Sequence, residues 1–309
     1  MVIKMGSFKD KVVVVTGAGG GLGKAHAIEF AKRGAKVVVN DLGGSDDGRG
    51  KSDMADLVVD EIHSFGGEAI ANKASVADKK GAQSIVDDAV NTYGTLDILV
   101  NNAGILRDKS FKNMDMGDWD IVMNVHLNGT SYVTKAAWDI MWRKSYGRIL
   151  FTSSTSGIFG NFGQANYGAA KMGMLGLMNV LAIEGLSKNI RVNTLAPDAE
   201  TRLIATIPGA QVNPDNPDPM RHPKLVSPAV LLLCDEDAPT NKTVHAGNGK
   251  FACSATYINE PLNFSADVTY EDLLERKSEL FDMSNAQEMS GLLRVQQMLS
   301  EQMNADNSD

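Results

Sequence analysis

The sequence is short of cysteine, of positive charge and of long apolar runs, and each shortage removes a class of protein. Two cysteines in 309 residues, Cys234 and Cys253, cannot supply the disulfide framework of a small secreted domain, and they lie too far apart for a compact zinc motif. Both are read as reduced structural thiols, and no metal is expected. No segment approaches the ~18 uninterrupted apolar residues of a membrane span, and Met1 to Phe8 carries neither the apolar region nor the cleavage pattern of a secretory leader. With 30 Lys and Arg against 38 Asp and Glu, a net charge of -8, there is no basic surface for nucleic acid or anionic membrane. A soluble intracellular protein is expected, and the final Asn307-Ser308-Asp309 is not a Ser-Lys-Leu-type peroxisomal address. Cytoplasm is the default location.

Proline is also scarce except in one place. Seven of the nine prolines fall between Pro197 and Pro228, including Pro214, Pro217 and Pro219. Regular helix is excluded through the middle of that segment. It reads either as a surface connection or as a cover over a site at the strand ends, where open α/β sheets bind ligands, and the cover is the favoured reading.

What is abundant is alternation. Short β-branched runs at Val12–Val15, Val37–Val39, Glu68–Ala71, Leu96–Val100, Arg148–Thr152 and Ile190–Leu195 are separated by longer amphipathic stretches, the βαβ pattern of a parallel, doubly wound sheet. The runs are almost continuously apolar, as strands buried on both faces must be. The expected architecture is an α/β Rossmann-type domain over 1–258 with a helical extension over 259–309. In the extension, Tyr270–Leu280 and Ser284–Met303 read as helices, Ser284 and Gln287 as a capping box, and Met289, Leu292, Leu299 and Met303 as one packing face.

After the first strand comes Thr16-Gly17-Ala18-Gly19-Gly20-Gly21-Leu22-Gly23, opening into a helical run. Glycines here have a mechanical reason: a tight turn needs positive φ, a pyrophosphate needs close backbone approach, and a helix N-terminus offers unpaired N–H groups to the anion. A glycine cluster alone would be a flexible turn; strand before and helix after make it a dinucleotide site. Asp41, 18 residues beyond Gly23 at the end of the second strand, lies near the ~20-residue offset of a ribose-binding carboxylate. It would accept bonds from both ribose hydroxyls and repel a 2′-phosphate, which favours NAD over NADP. Arg49 and Lys51 weigh the other way, since a basic residue folding back could tolerate the phosphate. Asn101-Asn102-Ala103-Gly104, at the end of the fourth strand, is small and polar where the cofactor would pass.

Tyr167 and Lys171 are four residues apart, on one face of an expected helix, and Ser154 lies 13 residues before Tyr167 at the end of the fifth strand. Oxidising an alcohol by hydride loss needs a base, yet free tyrosine has a pKa of ~10. A neighbouring ammonium and the positive nicotinamide should lower it. Lys171 can also bind the nicotinamide ribose, while Ser154 holds the substrate oxygen. Tyr-x-x-x-Lys by itself is commonly a snorkelling surface pair; what separates this one is its conjunction with the other motifs.

Glycine loop, Asp41, Asn-Asn-Ala-Gly, displaced Ser and Tyr-x-x-x-Lys follow one another in order, and over residues 8 to about 258 the chain resembles the short-chain dehydrogenase/reductase family. Longer stretches, Val-Val-Val-Asn-Asp-Leu-Gly-Gly (37–44), Asn-Asn-Ala-Gly-Ile-Leu-Arg-Asp (101–108), Trp-Asp-Ile-Val (119–122) and Gly-Asn-Phe-Gly-Gln-Ala-Asn-Tyr (160–167), resemble its (3R)-hydroxyacyl-CoA dehydrogenase branch in peroxisomal type 2 multifunctional enzymes. The resemblance implies NAD-dependent oxidation of (3R)-3-hydroxyacyl-CoA to 3-oxoacyl-CoA in fatty-acyl metabolism, by a homodimer; because 309 residues leave no room for the multifunctional enzymes' further modules, a stand-alone dehydrogenase is expected. It implies cofactor contacts at Gly17, Gly19, Gly20, Gly21, Leu22, Gly23, Asp41, Ser75, Val76, Asn102, Ala103, Gly104, Tyr167, Lys171 and Pro197. Three positions depart from the family pattern. His126 stands where the family has Asn and reads equally as a relay residue or a structural histidine. Ser75 precedes Val76 where many members have Asp, and Pro197-Asp198 replaces Pro-Gly. Arg107, Lys109 and Lys112 are candidates for the positive charge that a CoA ester needs. Fold and triad do not encode substrate, so a hydroxysteroid or other bulky alcohol dehydrogenase, and a non-catalytic NAD-binding regulator, remain alternatives.

Overall fold

The run Val-Val-Val-Val-Thr forms the strand β1, Val12–Thr16, buried along its whole length. Beside it lie β2 (Lys36–Asn40), β3 (Glu68–Asn72), β4 (Ile98–Asn101), β5 (Gly147–Thr152) and β6 (Ile190–Asp198), followed by β7 (Thr243–Gly247) and β8 (Lys250–Ser254). The computed structural model describes residues 8–44, 52–201, 203, 213 and 218–306, the last eight of these by backbone only. Arg49, Lys51, Pro208, Pro214, Pro217 and the terminal Asn307–Asp309 lie outside the described residues.

Strand order is β3-β2-β1-β4-β5-β6-β7-β8. Pairing is parallel from β3 through to β7, with Val14 opposite Val38 on one side and Leu99 on the other. The direction of winding reverses between β1 and β4, which opens a crevice beyond their carboxyl ends. The six expected strands are all present. The sequence reading lacked β7 and β8, which carry fewer β-branched apolar residues than the valine strands and are separated by Asn248 and Gly249.

Helices cover both faces. Val13, Val15, Val37 and Val39 pack with Phe30 of α1 (Gly21–Ala31), Ile62 of α2 (Met54–Ser64) and Leu233 of α8 (Ser227–Cys234). Val12, Val14 and Val38 point the other way, into a layer with Ile85 of α3 (Lys79–Tyr93), Val133 and Met141 of α5 (Gly129–Lys144) and Met174 of α7 (Ala165–Glu184). Strand residues alternate faces, and both faces are core, which is why the strands read as unbroken valine. Between α4 (Met116–Met123) and α5 the helix widens into one π-helical turn, Asn124–Asn128, which carries His126. The short α6 (Thr155–Phe159) follows β5.

The chain divides into two units, Met1–Cys253 and Ser254–Asp309; the sequence reading drew its boundary at 258. In the second unit β9 (Tyr257–Ile258) pairs antiparallel with β10 (Gln287–Glu288), and α9 (Tyr270–Glu275), α10 (Lys277–Leu280) and α11 (Gly291–Asp306) are helical. The expected capping box at Ser284 and Gln287 does not form, because Gln287 is taken into β10. A capping box is found instead at Thr269 and Asp272 of α9, and α11 starts seven residues later than 284, where Ser290 Oγ accepts from the Leu293 N–H at 3.1 Å. Of the expected packing face Leu292 is buried, while the side chains of Leu299 and Met303 lie outside the described ones.

Candidate active site

Thr16, the last residue of β1, turns a buried strand end into a polar anchor. Its Oγ1 accepts from the N–H groups of Asn102 (3.0 Å) and Ala103 (3.1 Å), and Asn102 Nδ2 returns bonds to the Thr16 and Gly17 carbonyls, both at 3.0 Å. β1 and β4 are thereby tied at the reversal of the sheet. Gly17 sits at φ +64° with a would-be Cβ 2.7 Å from Ala103 Cα; both the dihedral and the space demand glycine there. Gly23 has its side-chain space filled by the Gly17 carbonyl. Helix α1 starts at Gly21 with no side chain capping it, so its first-turn N–H groups face the crevice as an anion site.

A cavity of about 380 Å³ lies there. Gly17, Gly20, Gly21 and Leu22 form one wall, Asp41, Ser75 and Val76 another, and Asn102, Ala103 and Gly104 its floor towards β4. Asp41 Oδ2 accepts from the Gly19 N–H at 2.8 Å and Oδ1 from the Gly43 N–H at 2.7 Å. Gly19 and Gly23 thus stand behind the wall rather than in it. Pro197, opposite Ala246 on β6, is not in the lining. Sequence reasoning missed Asn40, Asn124, Ile121 and Thr201, which are. Asn40 had a readable signal, as a polar residue ending a valine strand: its Nδ2 donates to Asn72 Oδ1 and the Ala74 carbonyl, both at 2.9 Å, holding the segment before Ser75.

Ser154, Tyr167, Lys171 and His126 are not in the lining; they lie behind Gly104 and Ile105, which are, and which His126 contacts. Ser154 follows β5, where its Oγ accepts from the Ser156 N–H at 3.1 Å, and it acts against the rise in the Tyr167 pKa. On α7, Lys171 is 2% exposed, with Nζ 5.3 Å from the Tyr167 ring centre and donating to the Thr152 carbonyl at 2.5 Å. This is no snorkelling surface pair. His126 stands edge-on to the Tyr167 ring, centres 5.1 Å apart. Its Nε2 lies 2.7 Å from the Ile105 carbonyl and 3.1 Å from the Ile105 nitrogen, and its Nδ1 is buried with no partner among the described residues. Gly104 makes room for the ring: a Cβ there would meet His126 Cε1 at 2.3 Å.

The electrostatics reverse one expectation. Burial pushes the Tyr167 hydroxyl up to about 12, with the Ser154 hydrogen bond opposing and the Asp108 charge adding to it. Burial also pulls Lys171 down to about 7, and holds His126 well below the usual imidazole range, helped by Lys171. The sequence reading had Lys171 lowering Tyr167. In the fold both groups are desolvated, and removing a group from water disfavours its charged form.

A second set was invisible in the sequence. Gln164 Nε2 donates to Asp108 Oδ2 at 2.6 Å, Asn166 Nδ2 to the Arg107 carbonyl at 3.1 Å, and the Lys109 N–H to the Gly163 carbonyl at 2.9 Å. These bonds lash the segment after β4 to the start of α7. Arg107 and Lys109 both turn to Asp118, at 2.7 and 3.6 Å. Where the family pattern has glycine, Asp198 accepts from Asn248 Nδ2 at 2.6 Å. Next to it Arg221 Nη1 donates to Glu200 Oε1 at 3.1 Å, and the Glu200 N–H donates to the Arg221 carbonyl at 2.7 Å. Glu200 also accepts from the Asp218 N–H at 3.1 Å, so that both ends of the expected cover meet on one buried carboxylate.

Comparison with known proteins agrees with this architecture. Residues 11–206 match the family model for short chain dehydrogenases. The chain is 50% identical over 273 residues to peroxisomal multifunctional enzyme A of Dictyostelium discoideum, covering 88% of this chain and 59% of that one. It is 54% identical over 254 residues to mouse peroxisomal multifunctional enzyme type 2, of which it spans 33%. A short-chain type dehydrogenase/reductase of Mycobacterium tuberculosis is 46% identical over 284 residues, 91% of this chain and 98% of the other. Among solved structures, a short chain dehydrogenase from Mycobacterium avium superposes with a TM-score of 0.77 at 38% identity, covering 93% of this chain and 100% of its own. Full-length Drosophila melanogaster multifunctional enzyme type 2 gives 0.74 at 36%, covering 97% of this chain and 50% of its own.

Proposed function

The chain belongs to the short-chain dehydrogenase family, oxidoreductases that use a nicotinamide cofactor, and from that premise we propose that it oxidises (3R)-3-hydroxyacyl-CoA to 3-oxoacyl-CoA with NAD. One observation carries the catalytic part: Tyr167 stands against the buried Lys171 and edge-on to His126, and His126 meets the backbone of Ile105, which lines the cavity that begins at the glycine loop. The acyl-CoA part rests on likeness to relatives named as multifunctional and hydratase-dehydrogenase-epimerase enzymes, of which this chain spans only part.

The residues fit a dinucleotide. An uncapped helix N-terminus suits a pyrophosphate, and Asp41, at the cavity wall, suits two ribose hydroxyls and opposes a 2′-phosphate. NAD, when bound, accepts the hydride from the carbinol carbon. Ser154 donates a hydrogen bond to the substrate oxygen and holds it against Tyr167. Tyr167 takes the hydroxyl proton at Oη as base. Because the chain's own groups hold Tyr167 high, the phenolate must be favoured by positive charge arriving beside it, from Lys171 in its protonated form and from the nicotinamide. His126, neutral, fixes the Ile105 backbone with Nε2 and offers Nδ1 to a relay water.

The test is NADH formation with (3R)-3-hydroxyacyl-CoA esters against steroid alcohols. Turnover of the thioesters is expected, and failure to oxidise any acyl-CoA would overturn the reading. The proposed homodimer has exposed Trp142 of α5 and Met172 and Val180 of α7 to bury, and light scattering of the purified protein checks it. Imaging a tagged chain against a peroxisomal marker tests the cytoplasmic location. Among the described residues no helix is long and apolar enough to cross a membrane.

A further inference from the structure

Asp108 is a carboxylate with no counter-ion among the described residues. Its two basic sequence neighbours, Arg107 and Lys109, are both paired with Asp118. Its Oδ2 is held by the Gln164 amide at 2.6 Å, and its Oδ1 is buried with no partner among the described residues. Gln164 stands three residues before Tyr167, at the start of the same helix, and the Asp108 charge is felt at the Tyr167 hydroxyl. A negative group is therefore tied through Gln164 to the first turn of the helix that carries Tyr167. The neighbouring side-chain amides are engaged as well, Gln164 on Asp108, Asn161 on Gln164 and Asn166 on the Arg107 carbonyl.

In a 3-hydroxyacyl compound the carbonyl carbon is two bonds from the reacting carbon, so its charge state is presented to this neighbourhood. A thioester is neutral there, and the phosphates of its CoA are at the far end of the pantetheine arm. A free hydroxy acid brings a second carboxylate close to an uncompensated one, and like charges brought together in a partly desolvated site repel strongly. We propose that Asp108, clamped by Gln164, selects substrates by charge: it admits an uncharged acyl group next to the reacting carbinol and turns away free hydroxy acids. The inference rests on the reading of the site as a 3-hydroxyacyl oxidising centre. Burial raises the Asp108 carboxyl, and the Gln164 bond works against that rise.

The experiment compares (3R)-3-hydroxybutyrate with its methyl ester, which differ in charge and share a carbon skeleton, in the wild type and in Asp108→Asn. The amide oxygen of asparagine can still accept from Gln164. The wild type is expected to prefer the ester in kcat/KM by on the order of 100-fold, and D108N to narrow that ratio tenfold or more. An unchanged ratio in D108N overturns the proposal, and so does a wild type that oxidises acid and ester equally. If D108N does not fold, Asp108→Ser makes the same comparison, and the wild-type ratio stands without either variant. A loss of activity towards both compounds in parallel, at a fixed ratio, would mark Asp108 as structural only and overturn charge selection. If no 3-hydroxyacyl ester or thioester is oxidised, the functional reading falls instead. Charge selection is then read from whichever neutral alcohol is oxidised and its carboxylate-bearing counterpart.

Discussion

At the glycine-loop end of the crevice the polar side chains are answered from within the chain, and the uncapped N–H groups of α1 are what is left for a ligand. Asp41 receives two backbone N–H groups, Asn102 holds two carbonyls, and Thr16 accepts from two amides. At the tyrosine end the reverse holds. His126 Nδ1 and Asp108 Oδ1 have no partner among the described residues, and Lys171 is buried against a carbonyl with its pKa pulled down to about 7. The first end is a finished frame for a ligand. The second is left unsatisfied by the protein and is completed by whatever binds, the usual trade of stability for reactivity at an enzyme site.

The sharpest way to break this contrast is to remove the proton carrier. Tyr167→Phe should lower kcat by ~10²–10⁴-fold, the usual range for a general base, while the NAD dissociation constant, measured by fluorescence titration, moves less than twofold. If NAD affinity fell as far as kcat, the two ends would not be separate. Next in size, Asp41→Ala should cut the preference for NAD over NADP, as a ratio of kcat/KM, by roughly 10–100-fold, the worth of hydrogen bonds to a charged group. Equal loss with both cofactors would make Asp41 a scaffold residue.

The frame itself should be intolerant of added volume. Gly17→Ala places a methyl 2.7 Å from Ala103 Cα at positive φ and should cost about 1–3 kcal/mol of stability, read from urea unfolding. The tyrosine end should behave in the opposite sense. Lys171→Met removes a buried amine and should raise Tm by a few degrees at pH 7 while abolishing activity. The pH dependence follows from the shifts. Between about 7 and 10.5 the unfolded chain holds a proton on Lys171 that the folded chain has released, so stability rises with pH across that window. For Tyr167, raised to about 12, the unfolded chain ionises first, and stability falls with pH from about 10 upward. The rise should be absent in K171M and the fall absent in Y167F; identical pH profiles for all three proteins would refute the assignment.

The contrast also explains what could be read from the sequence. Strand, glycine loop and Asp41 were legible because their requirements are local: a dihedral, a missing Cβ, a fixed offset along the chain. Ser154, Tyr167 and Lys171 were legible as residues, through helical spacing. The direction of their pKa values was not, since burial depends on helices and strands brought in from elsewhere. Asp108 and Gln164 are 56 residues apart, and nothing in either neighbourhood announces the other. In the second unit, Ser284 and Gln287 carry a local capping signal that lost to strand pairing with Ile258, a tertiary choice that spacing cannot rank.

The ion pair of Glu200 and Arg221 brings the chain back to the place it left, with Asp218 held on the same carboxylate. The chain that leaves at Glu200 and returns at Asp218 is closed at one fixed point, and the entropy of closing a segment grows only slowly with its length. A change in the number of residues between those two positions would therefore be felt little by the sheet and the tyrosine helix.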